Sequence, residues 1–62
     1  MAKKIVEWKT YWFKDYELGE DFFVEETSLK RAIEIANKFF PKPSYCMKVT
    51  EEEAEMMGFD TY

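Results

Sequence analysis

Residues 27 to 41, TSLKRAIEIANKFFP, decide the fold of this chain, because they encode one amphipathic helix with signals at both ends. Thr27 or Ser28 is expected to cap the first turn by accepting hydrogen bonds from its amides, and Pro41 disfavours helical geometry at Phe40. Apolar residues recur at three- and four-residue steps and predict one apolar stripe, formed by Leu29, Ala32, Ile33, Ala36, Phe39 and Phe40. This helix needs a second layer to cover its stripe.

The segments on either side of the helix have the pattern of β-strands. Residues 4 to 13, KIVEWKTYWF, and residues 21 to 26, DFFVEE, alternate and are rich in β-branched and aromatic side chains. Between them, residues 14 to 20, KDYELGE, contain Gly19, which can take the positive φ that hairpin loops often require. Residues 44 to 49, SYCMKV, alternate again. The sequence therefore predicts a hairpin before the helix and a third strand after it.

The C-terminal segment predicts a second, short helix. Thr50 and Glu53 have the spacing of a capping box, in which each side chain bonds the other residue's backbone amide. Gly58 is expected just past the end of this helix, because glycine tolerates the left-handed conformation found there. Phe59 and Tyr62 can then fold back onto the body of the protein.

These elements predict an α+β fold, with one domain over residues 1 to 62 and the element order β-β-α-β-α. The third strand fits beside the first as an antiparallel neighbour, which predicts a three-stranded sheet in the order 2-1-3. The main helix is expected to cover one sheet face. The side chains expected under it are Val6, Trp8, Trp12, Phe22, Val24, Tyr45, Met47 and Val49.

The opposite sheet face is predicted to carry Tyr11, Phe13 and Phe23 together with Cys46, and the main helix does not reach it. Contiguous exposed apolar surface often marks a partner site. Three interpretations stay open: the C-terminal helix and tail cover this face through Met56, Met57, Phe59 and Tyr62, a second copy covers it, or another protein does.

The charge pattern favours a protein partner. The chain has 62 residues and a net charge of −4, which disfavours nonspecific contact with nucleic-acid phosphates. Acidic residues cluster in two places, around the hairpin and near the C-terminus: Glu17, Glu20, Asp21, Glu25 and Glu26, then Glu51, Glu52, Glu53, Glu55 and Asp60. They could imitate a phosphate track for a basic partner, or simply provide solubility and complement a helix dipole.

The residue inventory argues against an enzyme. The chain has no His, and its single cysteine, Cys46, has no imidazole partner to activate it. The acidic run at residues 51 to 55 lacks the spacing of a calcium loop, so we expect no metal and no cofactor. One cysteine forms no internal disulfide, and Glu7 interrupts the apolar start of the chain, so we expect a cytoplasmic protein without a membrane contact.

The aromatic hairpin, the helix ETSLKRAIEIANKFF and the closing segment TEEEAEMMGFDTY together resemble small acidic accessory proteins encoded by bacteriophages and mobile elements. That resemblance implies an accessory or anti-defence role. Several anti-CRISPR proteins are likewise tiny, acidic and built from a short sheet plus helices. The net charge here is more modest than that of the strongest DNA mimics, which argues against mimicry by charge alone.

These observations predict a non-catalytic binding protein, encoded by a phage, that inhibits a host nucleic-acid enzyme or defence system by occupying its surface or by partial mimicry of DNA. We expect a basic, nucleic-acid-binding surface as the partner, with no direct contact to nucleic acid. The predicted contact residues are three aromatic anchors and four acids: Tyr11, Phe13, Phe23, Glu17, Glu20, Asp21 and Glu25. The alternative is a structural or regulatory module that homodimerises through the exposed aromatic sheet face.

Overall fold

The predicted architecture is confirmed. The computed structural model describes residues 7 to 62. It consists of β1 (Lys9–Asp15), β2 (Glu20–Glu26), α1 (Leu29–Phe39), β3 (Pro43–Val49) and α2 (Glu51–Met57). The strands form an antiparallel sheet in the order β2-β1-β3, so the α+β class, the element order and the strand order are as expected.

The first strand lies further along the chain than predicted. It begins at Lys9, because Lys9 pairs with Glu26 and Thr10 pairs with Val49, which are the last residues of the two neighbouring strands. Trp8 therefore has no partner strand and is 62% exposed, so its predicted place under α1 is wrong. The predicted contact of Val6 lies outside the described residues.

The pairing of β1 with β2 determines which aromatic rings face α1. Tyr11 lies opposite Val24 and Phe13 opposite Phe22, and directly opposed residues of an antiparallel pair point to the same sheet face. Tyr11 and Phe13 therefore belong to the core beneath α1. Trp12 lies opposite Phe23 on the reverse face, so the prediction that Trp12 packs under α1 is wrong. A register error of one residue moves every side chain of a strand to the other face.

A β-bulge in β3 sends the side chains before it and after it to different faces of the sheet than regular alternation predicts. Trp12 pairs with Met47 and Phe13 pairs with Tyr45, which leaves Cys46 as an extra residue between them. Such a bulge changes the alternation of side chains along a strand. Tyr45 consequently contacts the rings of Tyr11 and Phe13 on the α1 side. Met47, and Val49 beyond it, pair instead with the residues of the reverse face, so their predicted place under α1 is wrong.

The ends of α1 match the predicted signals. The Ser28 hydroxyl accepts a hydrogen bond from the Arg31 amide, and Phe40, before Pro41, is extended. Ala32 and Ala36 are the residues of α1 that are fully buried, and these small side chains allow the helix to pack closely on the sheet. The stripe is narrower than predicted, because Ile33 and Phe39 remain exposed.

The second helix also has the predicted ends. Thr50 Oγ1 accepts from the Glu53 amide at 3.2 Å, Glu53 Oε1 accepts from the Thr50 amide at 3.0 Å, and Gly58 adopts a φ of 70°. After Gly58, the tail (residues 59 to 62) runs beside β2 and forms a parallel bridge between Phe23 and Thr61.

The first of the three interpretations is confirmed for Phe59 alone, because Tyr62 contacts Phe22 and Phe40 on the α1 side instead. The Phe59 ring centre lies 5.3 Å from that of Phe23 and 6.2 Å from that of Trp12. The helix before the tail contributes much less than expected, since none of its residues is buried and Met56 is 87% exposed. The tail and not α2 therefore completes the core on this side.

Candidate protein-binding site

The loop between β1 and β2, here called the hairpin tip (residues 16 to 19), carries two of the exposed large apolar side chains of the described chain, Tyr16 and Leu18. Asp15 and Glu20 form the last strand pair, and the Gly19 amide donates to the Asp15 carbonyl at 2.9 Å. Gly19 has a φ of 69°, in the left-handed region that favours glycine, as its position predicted. The loop is thus a tight four-residue connection.

A buried carboxylate holds this loop in place. Asp15 Oδ1 accepts hydrogen bonds from the amides of Glu17 at 3.0 Å and Leu18 at 2.6 Å. Asp15 Oδ2 accepts from the amide of Lys42 at 2.9 Å, and the Tyr16 amide donates to the Lys42 carbonyl at 3.1 Å. One side chain therefore fastens the hairpin tip to the loop between α1 and β3.

These hydrogen bonds stabilise the ionised form of Asp15. Burial alone would raise the pKa of this carboxyl group. The amide hydrogen bonds from Leu18, Lys42 and Glu17, together with the charge of Lys42, outweigh burial and hold the pKa below its usual value of 3.8. Because the folded-state pKa is depressed, Asp15 contributes stability above its unfolded-state pKa, and this contribution is lost as the pH falls through the folded-state pKa.

We expect Asp15→Asn to lower the melting temperature at pH 7 by roughly 5–10 °C, because an amide group places a donor against backbone donors. The difference from the wild type should shrink as the pH falls from about 4 through the folded-state pKa of Asp15, because only the wild type has a carboxylate at position 15 to protonate. Thermal melting at several pH values measures both effects. Asp60→Asn, at an exposed carboxylate, is the matched control, and an equal effect of the two substitutions would contradict this assignment.

The fixed loop presents two large apolar side chains to solvent. Tyr16 is 67% exposed and Leu18 is 56% exposed, although the backbone amides of the loop are satisfied by Asp15 and Lys42. Lys14 Nζ lies 5.9 Å from the centre of the Tyr16 ring, within the range of a cation–π contact. An exposed Tyr on an ordered backbone is typical of an interface anchor, because little conformational entropy is lost when it binds.

The predicted acidic contacts divide between two places. Glu17 and Glu20 are exposed at or beside the hairpin tip. Asp21 is half-buried, and its Oδ1 accepts a hydrogen bond from Trp12 Nε1 at 3.2 Å. Glu25 lies near the other end of β2, opposite Thr10, and does not belong to this surface.

The three predicted aromatic anchors are not available to a partner in this structure. Tyr11, Phe13 and Phe23 are all buried, the first two beneath α1 and Phe23 beneath the tail. The prediction that they share the face opposite α1 is therefore wrong, because the assumed pairing of β1 with β2 was wrong by one residue. Homodimerisation stays a prediction, but the surface proposed for it is occupied.

Sequence reasoning missed the residues that form the hairpin tip. Asp15, Tyr16 and Leu18 were interpreted only as part of the hairpin loop at residues 14 to 20. One signal was present, since Asp is favoured at the first position of a turn, where its side chain can accept backbone hydrogen bonds. Two large apolar residues inside a predicted loop were the second signal, because such residues are normally found in strands and helices.

Comparison of the chain with known protein families, curated proteins and solved structures finds no match. Neither helix in the described part of the chain is long and apolar enough to cross a membrane. Across residues 7 to 62, no three Cys, Asp or Glu side chains are grouped so that they could hold a metal ion.

Proposed function

We propose that this protein is a non-catalytic binding protein that uses the hairpin tip to occupy a basic surface on a larger host protein. The partner that fits best is the nucleic-acid-binding surface of a host enzyme or defence nuclease. The observation that carries the proposal is the exposure of Tyr16 and Leu18 on a loop whose backbone is held by a buried carboxylate.

The apolar part of the tip provides the anchor in this proposal. Tyr16 and Leu18 flank Glu17 in the sequence, so the tip carries two exposed apolar side chains and an exposed carboxylate at consecutive positions. Tyr is enriched among the few residues that dominate binding energy at interfaces. A loop that is already ordered avoids part of the entropy cost of binding.

In this proposal, the acids at the tip and beside it orient the two proteins relative to each other and raise the rate at which they associate. Glu17 lies between the two apolar anchors in the sequence, Glu20 lies one residue past the tip, and both are exposed. Complementary charge increases the association rate and makes it sensitive to salt, while adding little affinity at an exposed rim. A nucleic-acid enzyme supplies the required basic surface, and the resemblance to phage accessory proteins supports such a target.

The test is a pull-down from host lysate at low salt, followed by affinity measurements on the recovered partner. Tyr16→Ala is expected to weaken binding roughly 30-fold, which corresponds to a hot-spot loss of about 2 kcal/mol. Leu18→Ala should weaken it in the same direction. Neither substitution should change the melting temperature much, because both side chains are exposed. Trp8→Ala, an equally exposed aromatic outside the tip, is the matched control.

Charge reversal measures the electrostatic contribution to association separately from that of the apolar anchors. Glu17→Lys/Glu20→Lys should slow association and reduce its dependence on ionic strength. Glu34→Lys/Glu52→Lys makes the same change in net charge at exposed positions on the two helices and should have a smaller effect. Asp21 is left unchanged, because its carboxylate bonds Trp12. If no partner is recovered, or if its binding ignores salt and the tip variants alike, the proposal is wrong.

A further inference from the structure

The outer edge of β2 forms a binding site for an extended peptide segment, which the tail fills in the same chain. The Phe23 amide donates to the Asp60 carbonyl at 2.8 Å, the Tyr62 amide donates to the Phe23 carbonyl at 2.8 Å, and the Glu25 amide donates to the Tyr62 carbonyl at 3.0 Å. This is the geometry of β-strand addition, in which backbone hydrogen bonds hold an added strand against a sheet edge.

Two contact sites for aromatic rings, one on each face of the sheet, determine which side chains fit this site. Phe59 packs on Phe23 on the reverse face. Tyr62 packs edge-on against Phe22 at 5.8 Å and Phe40 at 5.3 Å on the α1 side. The site therefore selects an extended segment with aromatic side chains at its first and fourth positions.

The connection between the tail and the rest of the protein is loosely packed. No residue of α2 is buried, and Gly58 joins this helix to the tail in a left-handed conformation. Segments with few buried contacts open locally at low cost in free energy. The tail is held by Phe59 and by three backbone hydrogen bonds, so it can detach in a local opening that costs less free energy than unfolding the sheet and α1.

We propose that the outer edge of β2 also binds the tail of a second copy of this chain, so that two copies exchange tails. The contacts are the same in both arrangements, because the exchanged segment is identical. The balance between them depends on concentration, since a short connection gives the chain's own tail an effective concentration in the millimolar range. The proposal does not depend on the hairpin tip.

The first test uses a fluorescent peptide with the sequence of residues 58 to 62, GFDTY. Full-length Phe59→Ala/Tyr62→Ala lacks both aromatic rings of the tail, so the two ring contact sites are free. The peptide should therefore bind this variant at least about tenfold more tightly than the wild type. A peptide with alanine in place of both aromatic residues should not bind. Equal binding of GFDTY to a cooperatively melting double variant and to the wild type would overturn the proposal. Full-length Tyr62→Ala, which keeps Phe59 in place, is the second variant if the double variant does not melt cooperatively.

The second test measures association of the unlabelled chain by sedimentation after refolding at about 1 mM, which reaches the expected effective concentration, and at about 10 μM, which lies far below it. The wild type should contain a dimer fraction only after refolding at high concentration, and the tail variant used in the first test should stay monomeric. Trp8→Ala/Met56→Ala, which removes two exposed apolar side chains elsewhere, should behave like the wild type. A wild type that stays monomeric at high concentration, or a dimer that persists in the tail variant, would contradict exchange of the tails.

Discussion

Replacing Phe22 by alanine is expected to leave much of the protein unfolded at 25 °C. The Phe22 ring stacks on Phe40 with 3.7 Å between ring centres and on Phe13 with 5.6 Å, and it is buried. Removing a buried Phe side chain costs about 3–5 kcal/mol. A domain of this length has a total stability of only about 3–9 kcal/mol at typical values per residue, so one substitution removes most of it.

Phe39→Ala is the matched control, since the same side chain is removed at the last residue of α1, a position that is 60% exposed. We expect it to cost less than about 1 kcal/mol, because little apolar surface is withdrawn from water there. Urea titration followed by circular dichroism gives both values. Similar losses for Phe22→Ala and Phe39→Ala would show that the packing beneath α1 is not as described.

Phe59→Ala is expected to be the next most damaging change, even though this residue lies near the end of the chain. Its ring covers Phe23 and Trp12 on the reverse face, and without it these two rings lose their cover. Phe59 is half-buried, so we expect a loss of about 2–3 kcal/mol, below the range for a fully buried Phe. The melting temperature should fall by roughly 8–20 °C for a domain of this size.

Met56→Ala provides the comparison within the same segment. Met56 is 87% exposed, and its substitution should leave the melting temperature nearly unchanged. Thermal melting of the two variants therefore distinguishes a tail that belongs to the core from one that merely rests on the surface. Two unchanged melting temperatures would argue that the reverse face is stable without the tail.

Which segments form helices or strands, and where the helices begin and end, could be predicted from the sequence, because these features depend on residues a few positions apart. Ser28 caps α1 and Phe40 is extended before a proline, as local geometry requires. The capping box of α2 and the positive φ at Gly58 follow in the same way from residues three or four positions apart. The strand order could also be predicted, because β1 was the one strand to which β3 could run antiparallel.

Register could not be predicted with the same rules. The alternation in β1 is equally compatible with either face, because both faces carry aromatic residues. The pairing of Tyr11 with Val24 decides between them, and it forms across the sheet between residues distant in sequence. The bulge at Cys46 likewise exists only in relation to β1. The wrong aromatic anchors followed from these two errors.

The candidate site was partly visible in the sequence. The exposed acids Glu17 and Glu20 were identified from charge, because charged side chains in a turn rarely find a buried position. Tyr16 and Leu18 were not identified, since apolar residues in a small chain are normally expected in its core. Their exposure results from the hydrogen bonds of Asp15 to the loop and to Lys42, a contact across 27 positions of sequence.

By itself, the sequence determined the elements, their caps and turns, the α+β class and the acidic balance, since each depends on composition or on residues a few positions apart. Only the tertiary structure decided which rings are buried, where the tail lies and which side chains the hairpin tip exposes. The physical reason is that these features depend on strand register and on hydrogen bonds between distant segments, and alternating patterns in a sequence do not specify either.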